Sequence, residues 1–378
     1  MTTTKGSNAR AASPVFAARL AQLADQAREA GLAAIIVASD WRYKGNLRFF
    51  TDRVLWSRWA YIVVRPDAEP VLVCVSPSQR YWAIQEGSIE DVRFAHHAPI
   101  TEVVALLKES VAVGEKVGIA GLDDIMRPAD HAALQSALPQ IEFVDASSIV
   151  HRMRTFKSPE EVEAARGTMR IAEEAYALFC ERLAPGLDRW EIIGEVERIL
   201  RGSGSYDTMI LLSTGPYLRE PGPGKFAAGD TVMFSIELAG PEGYWVERGG
   251  TLFIGEPDEN VLRLYQTCYD GVKAAEAAIL HGAAAAAVTD AVDRILTASG
   301  YQKGIWGGHG IGLDVLEHPI LLPDSSETIE APSLIAYHPH VLDPVNEIGA
   351  YISDTYAVTE TETIPLAEIP HELTCVPA

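Results

Sequence analysis

The run GGHGIGLDVLEHP, residues 307–319, sets two histidines and two acids among four glycines. Glycine lets backbone and ligand approach closely and permits positive φ. A histidine placed among glycines, His309, presents a ring nitrogen as a metal ligand or as a proton carrier. The run also reads as a glycine-rich strand end with an incidental histidine, and only the rest of the chain separates these readings. Trp306 precedes it, and an apolar ILL follows Pro319. A second glycine-rich stretch, PGPGK at 221–225, lacks the spacing and the following helix of a phosphate-binding loop. The four cysteines, Cys74, Cys180, Cys268 and Cys375, are scattered without metal-type spacing. They suit thiols in a reducing cytoplasm better than a disulfide frame.

The bulk properties narrow the partners. The chain has 378 residues, 48% of them hydrophobic, which is enough for two domains with cores of their own. Its 52 acids against 31 bases give a formal charge of −21, which repels polyanions. Nucleic acid and anionic membrane surfaces are excluded as partners, while small cationic or zwitterionic substrates are favoured. The opening MTTTKGSNARAA has no apolar signal core, and no apolar run reaches the roughly 18 residues of a membrane span. A cytoplasmic protein acting on a small molecule is the expectation.

The elements that must position His309 follow from periodicity. Residues 14–30 have helical spacing, and LAAIIVASD (32–40) reads as a buried strand. WAYIVV (59–64) and PVLVCV (70–75), joined by RPDAEP, read as a hairpin. A helix over 98–110, a strand at 116–121 and a helix over 128–138 complete a small α/β domain ending near residue 150. Ser158-Pro159-Glu160-Glu161 then starts a helix, with a serine cap, proline at the first position and acids at the positive end of the dipole. Another helix covers 188–200. GDTVMFSIELAG (229–240) and GYWVERGGTLFIG (243–255) read as antiparallel partners. Helices over 258–280 and after the alanine run at 283–287 lead to two closing strands, SLIAYHPHVL and GAYISDTYAVTE. Helices over one antiparallel sheet describe an α+β domain.

Four stretches carry a family likeness in one order: RTFKSPEEVEAAR, IELAGPEGYWVERGGTLFIG, GHGIGLDVLEHP and GAYISDTYAVTE. In that order the chain resembles the pita-bread enzymes, a family with prolidase, aminopeptidase P, methionine aminopeptidase and creatinase among its members. The resemblance covers about 155–360, and SDWRYKGNLRFFT resembles a segment of the smaller domain in the prolidase and creatinase branch. It implies a flexible tail at 1–13, a creatinase/prolidase-like N-terminal α/β domain at 14–152 and a pita-bread catalytic domain at 153–378.

It also implies a site. Metal-dependent members of the family hold two divalent ions with five carboxylate and histidine ligands, and the ions activate a water. The two hairpin aspartates of that set match Glu237 and, across a one-residue gap, Glu247. The histidine ligand matches His309, and the glutamate of a family EPG motif is replaced by His338. The last glutamate, which bridges the ions, falls on Ser353 of YISDT. Asp354 is its neighbour, but adjacent strand residues face opposite sides of a sheet. The helper histidine of the prolidase reaction is Leu316 here. The acid–base histidine of creatinase has no counterpart in STGPYLREPGPGKF, where Arg219 and Glu220 are nearest.

Glu237, Glu247, His309 and His338 are therefore the expected catalytic set and the expected metal ligands. Imidazole and carboxylate together suit zinc, iron or manganese. Without the bridging glutamate the set holds at most one ion, or none, in which case it forms a metal-free acid–base cluster. Trp41, Arg42, Tyr43 and Arg58, with Trp56 beside them, form an aromatic and basic cluster. In creatinase-like homodimers this region closes the partner's site, so these residues and His340 are the expected substrate contacts. The same rings also suit the cover of a sheet edge. The implied function is hydrolysis of a C–N bond, amide or amidine, in a small metabolite, outside ordinary Xaa-Pro dipeptide cleavage. A lyase on a small charged metabolite and a catalytically inactive binding protein are the alternatives.

Overall fold

Short β-branched and apolar runs, punctuated by proline and glycine, become strands here, and the capped amphipathic runs become helices. The computed structural model describes residues 13–52, 58–305 and 307–378. The flexible tail expected at 1–13 lies outside them except for Ser13, as do Trp56 and Trp306. The chain divides into two compact units, one ending at Arg154 and the other running from Thr155 to Ala378.

The first unit is built on one six-stranded sheet. Its strand order is Asp91–Phe94, Ala68–Cys74, Trp59–Arg65, Ala34–Asp40, Lys116–Ala120, Glu142–Asp145. The hairpin expected from WAYIVV and PVLVCV is present, with Tyr61 opposite Val73. Ile36, Val63 and Val73 of the sheet pack against Val103 and Leu107 of the Ile100–Ser110 helix and Leu134 of the Pro128–Ala137 helix.

In the second unit the Pro159–Arg182 helix begins where the sequence places it. Ser158 Oγ accepts from Glu161 N at 3.3 Å while Glu161 carboxylate accepts from Ser158 N at 2.7 Å, a reciprocal capping box. Glu161 also accepts a hydrogen bond from the Tyr244 hydroxyl, tying this helix start to the hairpin loop. Phe179 of the same helix stacks on Phe234 with ring centroids 3.7 Å apart. That contact seats the helix on the central hairpin, Thr231–Ala239 paired with Trp245–Ile254. Asp207–Ser213 and Thr374–Val376 flank the hairpin in a four-stranded sheet. Val272 and Val288, from the Glu259–Ala278 and Ala285–Ser299 helices, pack in a core with Ile335, Val341 and Tyr356 from the other strands.

One expectation needs correction. SLIAYHPHVL and GAYISDTYAVTE are not two strands of one sheet but four strands in two sheets. Ser333–Tyr337 and Asp354–Val358 pair in a five-stranded sheet with the His309 strand, while His340–Asp343 and Ile348–Tyr351 pair in a three-stranded one. The physical reason lies at the two breaks. Pro339 has no N–H to donate to a ladder, so the pairing with the His309 strand ends at His338, whose N donates to Gly307 O at 2.8 Å. At the other break Ser353 leaves its neighbours and pairs with Gly249 of the hairpin, N to O at 3.1 Å in both directions. Among the described residues no helix is long and apolar enough to cross a membrane.

The capping box makes a stability prediction. Ser158→Ala should destabilise the protein by about 1 kcal/mol, within the range for cap removal. Urea unfolding at pH 7 measures this, and an unchanged midpoint would contradict the assigned cap.

Candidate active site

The central hairpin brings two acids face to face. In its antiparallel register Glu237 lies directly opposite Glu247, so both side chains leave the same face of the sheet. The one-residue gap in the loop does not disturb this pairing.

His309 arrives on a three-residue strand, Gly308–Gly310, squeezed between Glu317–Leu321 and Ser333–Tyr337. The glycines are what let it fit. A Cβ on Gly308 would stand 2.4 Å from Ala336 O, and one on Gly310 would stand 2.2 Å from His318 O. Beyond the strand, Glu317 ties the turn by accepting Leu313 N at 2.8 Å and Asp314 N at 3.2 Å. Lys157, just before the capped helix, donates to Glu317 at 3.1 Å. Glu317 thus holds the motif in shape, and His309 is the member turned to the hairpin.

His309 Nδ1 donates to Gly310 O at 2.9 Å, which orients the ring and leaves Nε2 3.2 Å from Glu247 Oε1. His338, at the break between two strands, completes a cluster: Glu247, His309 and His338 each offer one ligand atom, and these atoms lie within 4.8 Å of one another. The side chains are almost shut off from water, with residue exposures of 1%, 4% and 5%, and Glu237 at 6%. Glu247 Oε2 is buried with no hydrogen-bond partner among the described residues. An unsatisfied buried carboxylate oxygen beside two imidazoles is what one divalent ion would satisfy, so the donors present fit such an ion. Of the four ligands expected, the structure gathers three in that cluster; Glu237 stands across the register from it.

Electrostatics separates the two acids. Burial, and then the charge of Glu247, push the Glu237 carboxyl well above the usual carboxylate range. Burial would raise Glu247 too, but the charge on His338 and the hydrogen bond and charge of His309 outweigh it and hold Glu247 low. Burial opposes the charged form of His309, and its hydrogen bond to Glu247 overcomes this and raises it. Without an ion, the site therefore favours charge on the Glu247–His309 pair and a proton on the Glu237 carboxyl beside it.

The residues around this cluster follow the sheet's period of two. Ser235 precedes Glu237 by two, Gly249 follows Glu247 by two, and Tyr351 precedes Ser353 by two. Ser235 and Ser353 hydroxyls lie 3.4 Å apart, both fully buried. Asp354 turns the other way, as alternation requires, and its carboxylate meets His371 Nε2 at 3.0 Å. His340 sits in a separate strand from His338 and donates through Nε2 to Pro216 O at 2.8 Å. Leu316 is exposed, and Arg219 donates to the carbonyl of its neighbour Glu220 at 3.3 Å. In the first unit Trp41, Arg42, Tyr43 and Arg58 are exposed, with Asp40 Oδ1 accepting from Arg42 N and Tyr43 N at 2.7 Å. The Arg58 guanidinium lies 5.8 Å from the centre of the Trp59 ring.

Comparison with known proteins agrees with this architecture. The family model described as metallopeptidase family M24 matches residues 163–360, and that of the creatinase/prolidase N-terminal domain matches 19–156. The chain is similar to a probable dipeptidase PepE of Mycobacterium tuberculosis, 27% identical over 96% of this chain and 97% of the relative. It is also similar to an ectoine hydrolase of Halomonas elongata, 25% identical over 64% of this chain and 65% of the relative. Among solved structures, an Xaa-Pro dipeptidase from Bacillus anthracis superposes with a TM-score of 0.83 at 20% identity, over 96% of this chain and 100% of that one.

His340 offers a pH test of the site wall. Burial pushes its imidazole down from 6.5 to about 4, against the pull of the Pro216 carbonyl. As pH falls from 6.5 towards 4, the unfolded chain takes a proton that the folded chain refuses, so stability falls in that window. The loss is on the order of 3 kcal/mol for a shift of this size. His340→Gln keeps a donor for Pro216 O without a titrating ring. Urea unfolding of both proteins at pH 7, 5.5 and 4.5 should show a shallower decline for the variant. Equal declines would contradict the buried neutral imidazole.

Proposed function

The chain belongs to metallopeptidase family M24 and is a hydrolase, and from that premise we propose that it cleaves a C–N bond, amide or amidine, in a small metabolite. The proposal excludes Xaa-Pro dipeptides as preferred substrates. The single observation that carries it is the altered cluster: Glu247, His309 and His338 gathered around one point, with Ser353 where the family resemblance puts a bridging glutamate.

One divalent ion held by these three residues would supply Lewis-acid polarisation of the bond under attack. The remaining work falls to the chain's own groups. Burial of the cluster excludes bulk water and strengthens every electrostatic contact within it. His309 is kept in one orientation by Gly310 O, so its Nε2 does not have to search for its partner. Hydrolysis must give a proton to the departing nitrogen as the C–N bond breaks and must take one from the attacking water. Glu237, whose burial raises its proton affinity, takes the proton that water gives up as its oxygen bonds to the carbon under attack. The same carboxyl then donates that proton to the departing nitrogen as the C–N bond breaks, so the site returns to its starting state.

Two features support a substrate outside the Xaa-Pro class. Leu316 stands where the resemblance places a helper histidine, and it is exposed. The relatives also include one named an ectoine hydrolase alongside those named dipeptidases. A homodimer is part of the proposal on the family resemblance alone, with Trp41, Arg42, Tyr43 and Arg58 as its substrate contacts.

The test is a substrate panel with zinc or manganese supplied: Xaa-Pro dipeptides against small amides, cyclic amidines and guanidino compounds. At least one non-peptide C–N compound should exceed every Xaa-Pro dipeptide in kcat/KM. With that substrate, Glu237→Gln should lower kcat by roughly 10²–10⁴-fold, the usual span for a lost acid–base group. Efficient cleavage of an Xaa-Pro dipeptide, or undiminished kcat in the variant, would overturn the proposal.

A further inference from the structure

Beside the three-residue cluster lies a second half of the site. Glu237 borders this half on one side. Ser235, Ser353, Gly249 and Tyr351 make up the rest. We infer that the Tyr351 ring, seated over Gly249, fills this half and limits the protein to one ion. The inference rests on the single-ion reading above and adds the residue that enforces it.

Three observations place the ring. Its backbone is pinned to the hairpin by one side chain: Thr251 Oγ1 donates to Tyr351 O at 2.9 Å and accepts from Tyr351 N at 2.8 Å. Its edge lies against Gly249, where a Cβ would stand 2.8 Å from Tyr351 Cε1, 2.8 Å from Ser353 Oγ and 2.9 Å from Ser235 Oγ. No residue larger than glycine fits position 249 while the ring stays where it is. Its plane is 23° from that of His338 at a centroid distance of 6.3 Å, and His340 meets it nearly edge-on at 6.0 Å. The ring is thus wedged between the hairpin and the two histidines, and it is 1% exposed. Burial, and then the charges of Glu247 and Glu237, push its phenol well above the usual tyrosine range, so it stays uncharged.

A second ion would need space and anionic donors at this spot. Paired catalytic ions stand roughly 3.5–4 Å apart, which puts the second within the volume next to the first. Hard divalent ions prefer carboxylate oxygens there, and this half offers two serine hydroxyls, a phenol and aromatic carbon instead. Lengthening Ser353 to a glutamate would not suffice, because the new carboxylate would meet the ring. Removing the ring alone would not suffice either, because no bridging carboxylate would be present. Both changes are needed together.

The experiment counts ions, without reference to turnover. Metal-free wild type, Ser353→Glu, Tyr351→Ala and the double variant are incubated with excess zinc or manganese, desalted and analysed for metal per chain. About one equivalent is expected in wild type and in each single variant, and about two in the double variant. A second equivalent in Ser353→Glu, with the ring intact, would overturn the inference while leaving the single-ion reading in place. A folded double variant that stays at one would also overturn it. Two equivalents or none in wild type would overturn the single-ion reading itself. Circular dichroism establishes that each variant is folded, and if the double variant is not, the Ser353→Glu count still decides.

Discussion

Two carboxyl groups buried opposite one another on neighbouring strands cannot both carry charge unless something nearby compensates them. The hairpin register imposes this on Glu237 and Glu247, and much of the second unit answers to it. His309 is brought in on a strand so narrow that only glycines can flank it. His338, the last residue held by the ladder before Pro339 ends it, reaches the same point. The two histidines stabilise one acid as a carboxylate, while burial and the charge of that carboxylate favour the protonated form of the other. An asymmetric pair of acids results, one suited to holding a cation and one to giving a proton, although both are glutamates on facing positions of one hairpin.

The same constraint explains why the surrounding residues are small or neutral. Ser235, Gly249 and Ser353 share the face of the two acids by the twofold alternation of strands, and another buried carboxylate there would meet an already compensated charge. Tyr351 supplies bulk without charge. On the other face, Arg248 and Asp354 are joined through His371, with Arg248 Nη1 2.6 Å from one ring nitrogen and Asp354 3.0 Å from the other. Burial holds the His371 imidazole below its usual range, and the sheet itself keeps these three residues apart from the site.

Local signals were legible in the sequence where local physics decides. The capping box at Ser158 and Glu161, the hairpin pairing of 229–240 with 243–255, and the placement of His309 among glycines all depend on residues close in the chain. The exit of Ser353 from the pairing of its neighbours depends on a distant one. Ser353 changes sheets because Gly249 offers a backbone partner, about a hundred residues earlier in the chain, and nothing in YISDT announces that. His340 shows the same limit. Alternation would place it on the face of His338, but the break at Pro339 intervenes and Pro216 O takes its ring nitrogen. Tyr351 was within reach of the period-two rule applied from Ser353, but its importance appears only once the bare face of Gly249 is seen against it.

On this account the ion-binding point lies among Glu247, His309 and His338, with Glu237 and Tyr351 facing it. Anomalous diffraction from crystals grown with zinc, collected at the zinc edge, tests this most directly. A single anomalous peak per chain, within bonding distance of Glu247, His309 and His338, is the expected result. Two peaks, or one peak centred between Glu237 and Ser353, would contradict it.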